Sequence, residues 1–209
     1  LMNVEGTRNI AKAANEVGAH VVHISTDFIF DGKDGPYKED AKAQPLSHYG
    51  WTKLEAEDII KDLPSWSILR TVLVIGMAED LSRSNIVLWA KGALEKGQPI
   101  NVVDDQFRTP TLAEDLAQGA LLAADQCAQG VFNISGPDFM SIYDLVGQVA
   151  AYFGLSMESV TRTDSTTLNQ PAKRPPRTGF DISKARKELG YEPHTFNQAL
   201  EIIANQAGL

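Results

Sequence analysis

The chain has 209 residues, 43% of them hydrophobic and 22% charged, a globular composition that excludes disorder, collagen and low-complexity readings. A formal net charge of −8 speaks against a general nucleic-acid binder, and one cysteine with four scattered histidines against a disulfide framework or a Cys/His zinc site. The longest uncharged apolar stretch, 71–78, is far short of the ~20 residues a membrane helix needs.

Residues 3–17 read as a helix, with Val4, Ile10, Ala11, Ala14 and Val17 on a roughly helical repeat and Gly18 as its stop. Residues 20–25 (HVVHIS) are short, β-branched and apolar, the mark of a buried parallel strand. The stretch 26–45 carries Gly32, Gly35, Pro36 and Pro45 and predicts a long functional loop. Ser47 caps a helix running to about Asp62, and 66–75 (WSILRTVLVI) forms the second apolar strand. Helix, strand, helix, strand is the order of a parallel sheet with crossover helices. Beyond it come a helix over 85–96, a strand over 99–103 and a helix over 111–124. A strand over 131–135 follows, then a helix capped by Ser141 that runs to about Phe153. Residues 162–179 read as a long loop, Ser183 caps a short helix closed by Gly190, and 196–207 forms the last helix.

Tyr49-Gly50-Trp51-Thr52-Lys53 puts a phenol and an ammonium at i and i+4, on one face of the second helix. An ammonium beside a phenol favours the phenolate, so the pair can exchange a proton with a carbonyl or alcohol. On its own the pair is equally two helix-surface residues. Ser25-Thr26 ends the first apolar strand, at the edge where open α/β sheets place ligands. A hydroxyl there can donate to a carbonyl oxygen as charge develops on it, or simply complete a turn. Asn3 can hold a water or a backbone carbonyl, or cap its helix.

Order and spacing together resemble the extended short-chain dehydrogenase/reductases and, among them, the dTDP-4-dehydrorhamnose reductases. The resemblance is carried by Asn3-Val4-Glu5-Gly6-Thr7, by His23-Ile24-Ser25-Thr26-Asp27-Phe28-Ile29-Phe30-Asp31-Gly32, and by Gly35-Pro36-Tyr37-Lys38-Glu39-Asp40 leading into Tyr49 and Lys53. Leu69-Arg70-Thr71, Asp105-Gln106, Thr109-Pro110-Thr111, Asp115-Leu116-Ala117, Arg174-Pro175 and Leu189-Gly190-Tyr191 extend it over nearly the whole chain.

The resemblance implies a Rossmann-type doubly wound α/β sheet with a small C-terminal α/β substrate domain. Residues 1–78 would belong to the dinucleotide-binding half, 98–125 would contribute to both, and 79–209 would be mainly substrate-binding. It implies an NAD(P)H-dependent reduction of a keto group on a nucleotide-linked sugar, as in dTDP-rhamnose biosynthesis. Thr26 would polarise the carbonyl, Tyr49 would supply the proton, Lys53 would hold the nicotinamide ribose and Asn3 would complete the tetrad. Ser25, Tyr49, Lys53, Arg70 and Thr71 would meet the cofactor, NADP or NAD. Thr26, Asp27, Phe28, Asn85, Arg108 and Arg174 would meet the substrate.

The pattern also departs from that subfamily. Phe28 stands where Tyr is frequent, Val72-Leu73 where Ser-Trp is frequent, and Arg108 where these reductases carry Gly. In nucleotide-sugar epimerases an arginine at that place grips the diphosphate; the alternative is a solvated surface arginine. Asn85 resembles the residue that contacts the same diphosphate, or is a plain helix cap. Lys173, Arg174 and Arg177 could close a flexible loop on an anion, or simply be solvated. His48 is a weaker candidate beside Tyr49, and Trp51 and Trp89 are expected to pack. Two further readings are a reductase-fold regulatory subunit like the β subunit of methionine adenosyltransferase, and an epimerase. Phe28 after Asp27, where dehydratases show Glu, disfavours dehydration.

No G-x-G-x-x-G or G-x-x-G-x-x-G run occurs in the 209 residues. By the resemblance, the Gly-rich phosphate turn and about 70–90 residues of βαβ units would precede Asn3, and without them an apolar sheet edge would stand exposed. A cytoplasmic setting and a homodimer through the helices of Asn3 and Tyr49 are the remaining expectations.

Overall fold

The computed structural model describes residues 2–77, 85–167 and 172–208. The chain opens on a π-helical turn, Met2–Gly6, that runs directly into α1 (Thr7–Val17). Gly18 ends it in the left-handed region at φ 67, a conformation that costs glycine little. Strand β1 (Val21–Thr26) follows, then a single 3₁₀ turn at Asp27–Ile29 and α2 (His48–Lys61). Ser47 caps α2 by accepting from the Gly50 amide, as its spacing predicts. The stretch 26–45 is loop beyond the 3₁₀ turn, as expected, and two of its rings anchor it in the core. Phe30 stacks on Tyr37 with centroids 4.2 Å apart, and both are buried.

The expected strand over 66–75 is two strands. β2 (Trp66–Thr71) pairs in parallel with β1, and β3 (Val74–Ile75) belongs to a different sheet. The break falls at Leu73, held at φ 42. Thr111 holds it from both sides: its amide donates to Leu73 O at 3.2 Å and its hydroxyl to Val72 O at 2.7 Å. Thr111 is therefore not a helical residue as expected. It opens β6 (Thr111–Leu112), which pairs with β3, and α4 (Ala113–Asp125) starts only after it. Between them lie α3 (Ile86–Glu95), β4 (Ile100–Val103) and β5 (Phe107–Arg108).

Strand β7 (Gly130–Asn133) completes a parallel sheet of order β1-β2-β7, in which β2 is central and buried from Ser67 to Thr71. Among the described residues β1 pairs on one side only, and Ile24 on it is 46% exposed. Then come β8 (Met140–Ser141), antiparallel to β5, and α5 (Ile142–Phe153), where Ser141 and Asp144 form a reciprocal capping box. β9 (Val160–Thr163) pairs with β4, so the start of the expected 162–179 loop is strand. Ser183 is the first residue of α6 (Ser183–Leu189) and not its cap; that position is Ile182, and the Asp181 carboxylate accepts from the Ser183 amide at 2.8 Å. α7 (Phe196–Ala207) closes the chain on a second capping box, Thr195 with Gln198.

Two cores result. One gathers Val87 and Leu94 of α3, Leu145 and Val149 of α5, and Leu200 and Ile203 of α7. The other joins Leu69 of β2 and Phe132 of β7 to Phe30, Phe180, Leu189 and Tyr191, so residues 180–191 pack with the three-stranded sheet.

Candidate functional site

At the carboxyl ends of β1 and β2 lies a cavity of about 330 Å³, lined by Ser25, Thr26, Tyr49, Lys53 and Thr71 among others. Beside it a second cleft of about 350 Å³ is lined by Ile86, Trp89, Asn101, Gln106, Arg108 and Arg174. Asp27, Phe28 and Leu73 line both, and are where the two spaces meet.

The Tyr-Lys motif is presented as its spacing requires. Tyr49 is 47% exposed and meets the edge of Phe28 with centroids 5.8 Å apart. Lys53 donates to Ile24 O at 2.7 Å and stands 3.4 Å from His23 Nε2. That anchor holds the ammonium against β1. Burial lowers the Lys53 pKa, and burial together with the Lys53 charge pushes His23 down to about 4. His23 therefore stays neutral at physiological pH and can accept from Lys53. Gly50 lets α2 approach the turn after β1: a Cβ there would lie 2.2 Å from Phe28 O.

Asn3 is neither a cap nor at the cavity. Its amide donates to Thr52 Oγ1 at 3.1 Å, and Thr52 Oγ1 donates to Tyr49 O at 2.9 Å. Asn3 thus reaches the backbone of Tyr49 through one hydroxyl. Thr26 is 8% exposed and caps the 3₁₀ turn by accepting from the Phe28 amide, while its proton goes to Asp27 Oδ1 at 3.1 Å. Asp27 also accepts from the Thr178 hydroxyl and lies 3.6 Å from Arg108 Nε. Burial raises the Asp27 pKa against the pull of Arg108, Thr178 and Thr26.

Two expected cofactor contacts bond a buried carboxylate, though Ser25 still lines the cavity. The Ser25 hydroxyl donates to Glu57 Oε1 at 2.6 Å. Arg70 does not line either cavity; it donates to Glu57 Oε1 at 3.0 Å, to Oε2 at 2.8 Å and to Glu39 O at 2.9 Å. Glu57, fully buried, went unpredicted, because nothing local in a helix sequence marks one of its carboxylates as buried. Thr71 donates to Thr111 Oγ1 at 3.2 Å yet still lines the cavity.

Of the expected substrate contacts, Asp27, Phe28, Arg108 and Arg174 line the second cleft. Asn85 caps α3, accepting from Val87 N at 2.9 Å and Leu88 N at 3.2 Å. Arg108 is only 5% exposed, so the solvated alternative fails. The loop of Lys173, Arg174 and Arg177 is tied down rather than free. Arg177 lies 4.3 Å over the Phe107 ring and 5.1 Å from Phe139, while Lys173 and Arg174 are exposed. Residues 168–171 of the same stretch lie outside the described residues. Trp51 and Trp89, expected to pack, are 58% and 43% exposed, and Trp89 lines the cleft.

An open parallel sheet with hydroxyls at its carboxyl edge and a Tyr-Lys pair on the next helix defines a Rossmann-type α/β protein. The chain belongs to the RmlD substrate binding domain family, whose model matches residues 1–208. A dTDP-4-dehydrorhamnose reductase from Clostridium acetobutylicum superposes with a TM-score of 0.91 at 30% identity, over 99% of this chain and 72% of that one. A Bacillus anthracis dTDP-4-dehydrorhamnose reductase in complex with NADP gives 0.89 at 25% identity, over 98% and 72%. Methionine adenosyltransferase 2 subunit beta of Xenopus tropicalis is 31% identical over 194 residues, 90% of this chain. This chain spans 58% of that relative's length.

Proposed function

We propose that the complete protein is an NAD(P)-dependent oxidoreductase that reduces a keto group on a nucleotide-linked sugar, as the dTDP-4-dehydrorhamnose reductases it resembles do. The observation that carries this reading is the convergence of Thr26, Tyr49 and Lys53 on one cavity that opens, past Asp27, Phe28 and Leu73, into a cleft bearing Trp89 and Arg174. The first space suits a reacting carbonyl, and the second suits a nucleotide with its anionic diphosphate near Arg174.

The cavity offers hydroxyl, phenol and ammonium groups that fit the nicotinamide end of a dinucleotide, with Tyr49, Lys53 and Thr71 holding it. When bound in its reduced form, NADPH or NADH would supply the hydride. The protein's own part is proton transfer and charge stabilisation. Thr26 turns its hydroxyl from Asp27 to the substrate oxygen, and Tyr49 gives that oxygen its phenolic proton. The phenolate left behind is stabilised by the Lys53 ammonium, which Ile24 O holds in place. Asn3, through Thr52, fixes the backbone of Tyr49.

Replacing Tyr49 by Phe in the complete protein should cut NADPH oxidation by roughly 10²–10⁴-fold while cofactor binding survives. The assay follows nicotinamide absorbance with dTDP-, UDP- and GDP-linked keto sugars. Turnover like the wild type's would sink the assignment of Tyr49. The similarity to methionine adenosyltransferase 2 subunit beta favours a second reading, a reductase-fold subunit that binds a partner protein. It predicts no turnover with any keto sugar and tight association with another chain.

A further inference from the structure

Arg108 is built into the wall of the second cleft. Its Nη1 donates to Phe107 O at 2.7 Å and to Pro176 O at 3.1 Å, and its Nη2 to Pro175 O at 2.8 Å. Its Nε faces Asp27 Oδ2 at 3.6 Å. All three nitrogens are thus directed at protein oxygens, and the side chain is 6% exposed. Arg174, one residue before Pro175, lines the same cleft and is exposed.

We infer that Arg108 is a positioning residue. It clamps the segment 174–178 so that Arg174 presents its charge to an anionic substrate group of the diphosphate class, and Arg108 does not bind that group itself. The same clamp is reinforced by the Phe107 amide on Pro176 O at 2.7 Å, the Arg177 amide on Gly32 O at 3.1 Å and the Thr178 amide on Phe107 O at 3.2 Å. Its other end is Asp27, which takes the protons of both Thr26 and Thr178. One guanidinium therefore joins the anion-facing segment to the turn that bears the Thr26 hydroxyl. A lysine could keep the charge opposite Asp27 but, as a point charge on a flexible stem, could not span Phe107 O, Pro175 O and Pro176 O together.

The nucleotide-sugar reading supplies the ligand class on which this inference rests. The test is a cycle of Arg108→Lys, Arg174→Met and the double variant in the complete protein, titrated calorimetrically with dTDP and with UDP. Each single variant should weaken the tighter-bound diphosphate roughly tenfold, the scale of one charge-assisted contact. The double variant should be no weaker than Arg174→Met, because Arg108 acts only through Arg174. Independent losses that multiply to about a hundredfold would make Arg108 a direct ligand and overturn the proposal. Unchanged affinity in Arg108→Lys would reduce it to a purely structural residue and also overturn it, as would a wild type that binds neither diphosphate.

Hydrogen exchange reads the clamp without any ligand. The amides of Phe107, Arg177 and Thr178 should exchange at least about tenfold faster in Arg108→Lys, a local opening easier by one charge-assisted contact. Unchanged protection would again overturn the proposal. Keto-sugar turnover is scored separately. An additive cycle with turnover intact defeats this inference alone, and a non-additive cycle without turnover defeats the reductase reading alone.

Discussion

Arg70 grips Glu57 through two nitrogens at 2.8 and 3.0 Å, whereas Arg108 reaches Asp27 through one nitrogen at 3.6 Å. Both pairs are buried, and the two carboxyls respond oppositely. Glu57, with two arginine contacts and the Ser25 hydroxyl, has its pKa lowered in spite of burial. Asp27, with a looser arginine and two threonine hydroxyls, has its pKa raised because burial wins. Bidentate geometry is what offsets the desolvation of a charge. The first pair fastens α2 to β2 beneath the cavity. The second leaves a carboxyl of raised pKa where both cavities touch it, and perturbed groups in clefts are where function concentrates.

The contrast breaks most visibly at Glu57. Glu57→Gln leaves Arg70 buried without its counter-charge and should cost about 3–5 kcal/mol, read by urea unfolding at neutral pH. A loss below about 1 kcal/mol would put the pair on a level with a surface ion pair. The pH dependence has a definite sign. Because folding lowers the Glu57 pKa, its stabilisation is complete above its ordinary unfolded pKa and is lost as pH falls through the folded one. The gap between wild type and Glu57→Gln should therefore close on acidification. Asp27 runs the other way: its pKa is raised, so its ionisation opposes folding as pH rises and that cost disappears in acid.

What could be read from the sequence was local. Gly18, Ser47, Ser141 and Gly190 end or cap helices through bonds spanning a few residues, and each does so where its spacing predicts. Tyr49 and Lys53 share a helix face by i, i+4 geometry, and they line one cavity. What could not be read depends on partners distant in the chain. The break at Leu73 is fixed by Thr111, nearly forty residues on, so an unbroken apolar run concealed it. Arg70 looks like a cavity residue until Glu57 arrives from α2 to take it, and Glu57 also takes the hydroxyl of Ser25 at the cavity wall. The carbonyls of Pro175 and Pro176 that take the Arg108 guanidinium are likewise remote in the chain. Trp89 has the spacing of a core residue on an apolar helix, and only the arrangement of α3 against the cleft leaves it exposed.

A smaller change sharpens the looser pair. Thr178→Val removes one of the hydroxyls that donate to Asp27 and should cost about 1–2 kcal/mol in urea unfolding at neutral pH. The penalty should shrink in acid, where the protonated carboxyl no longer needs that donor. A penalty that holds constant with pH would mean that Thr178 matters for packing and not for the Asp27 charge.

The smallest effect belongs to Lys61, whose ammonium stands 3.7 Å from Glu57 Oε2 and 3.0 Å from Asp58 Oδ1. On paper it is a second cation on Glu57. Its side chain is 35% exposed, however, and solvent screens it, while Arg70 already neutralises Glu57 at shorter range. Lys61→Ala should therefore cost about 0–0.5 kcal/mol, and raising the salt concentration should erase even that. A loss above about 1 kcal/mol that survives high salt would mean Glu57 draws its stabilisation from the helix surface as well as from Arg70, and the contrast with Asp27 would then rest on the number of cations and not on bidentate geometry.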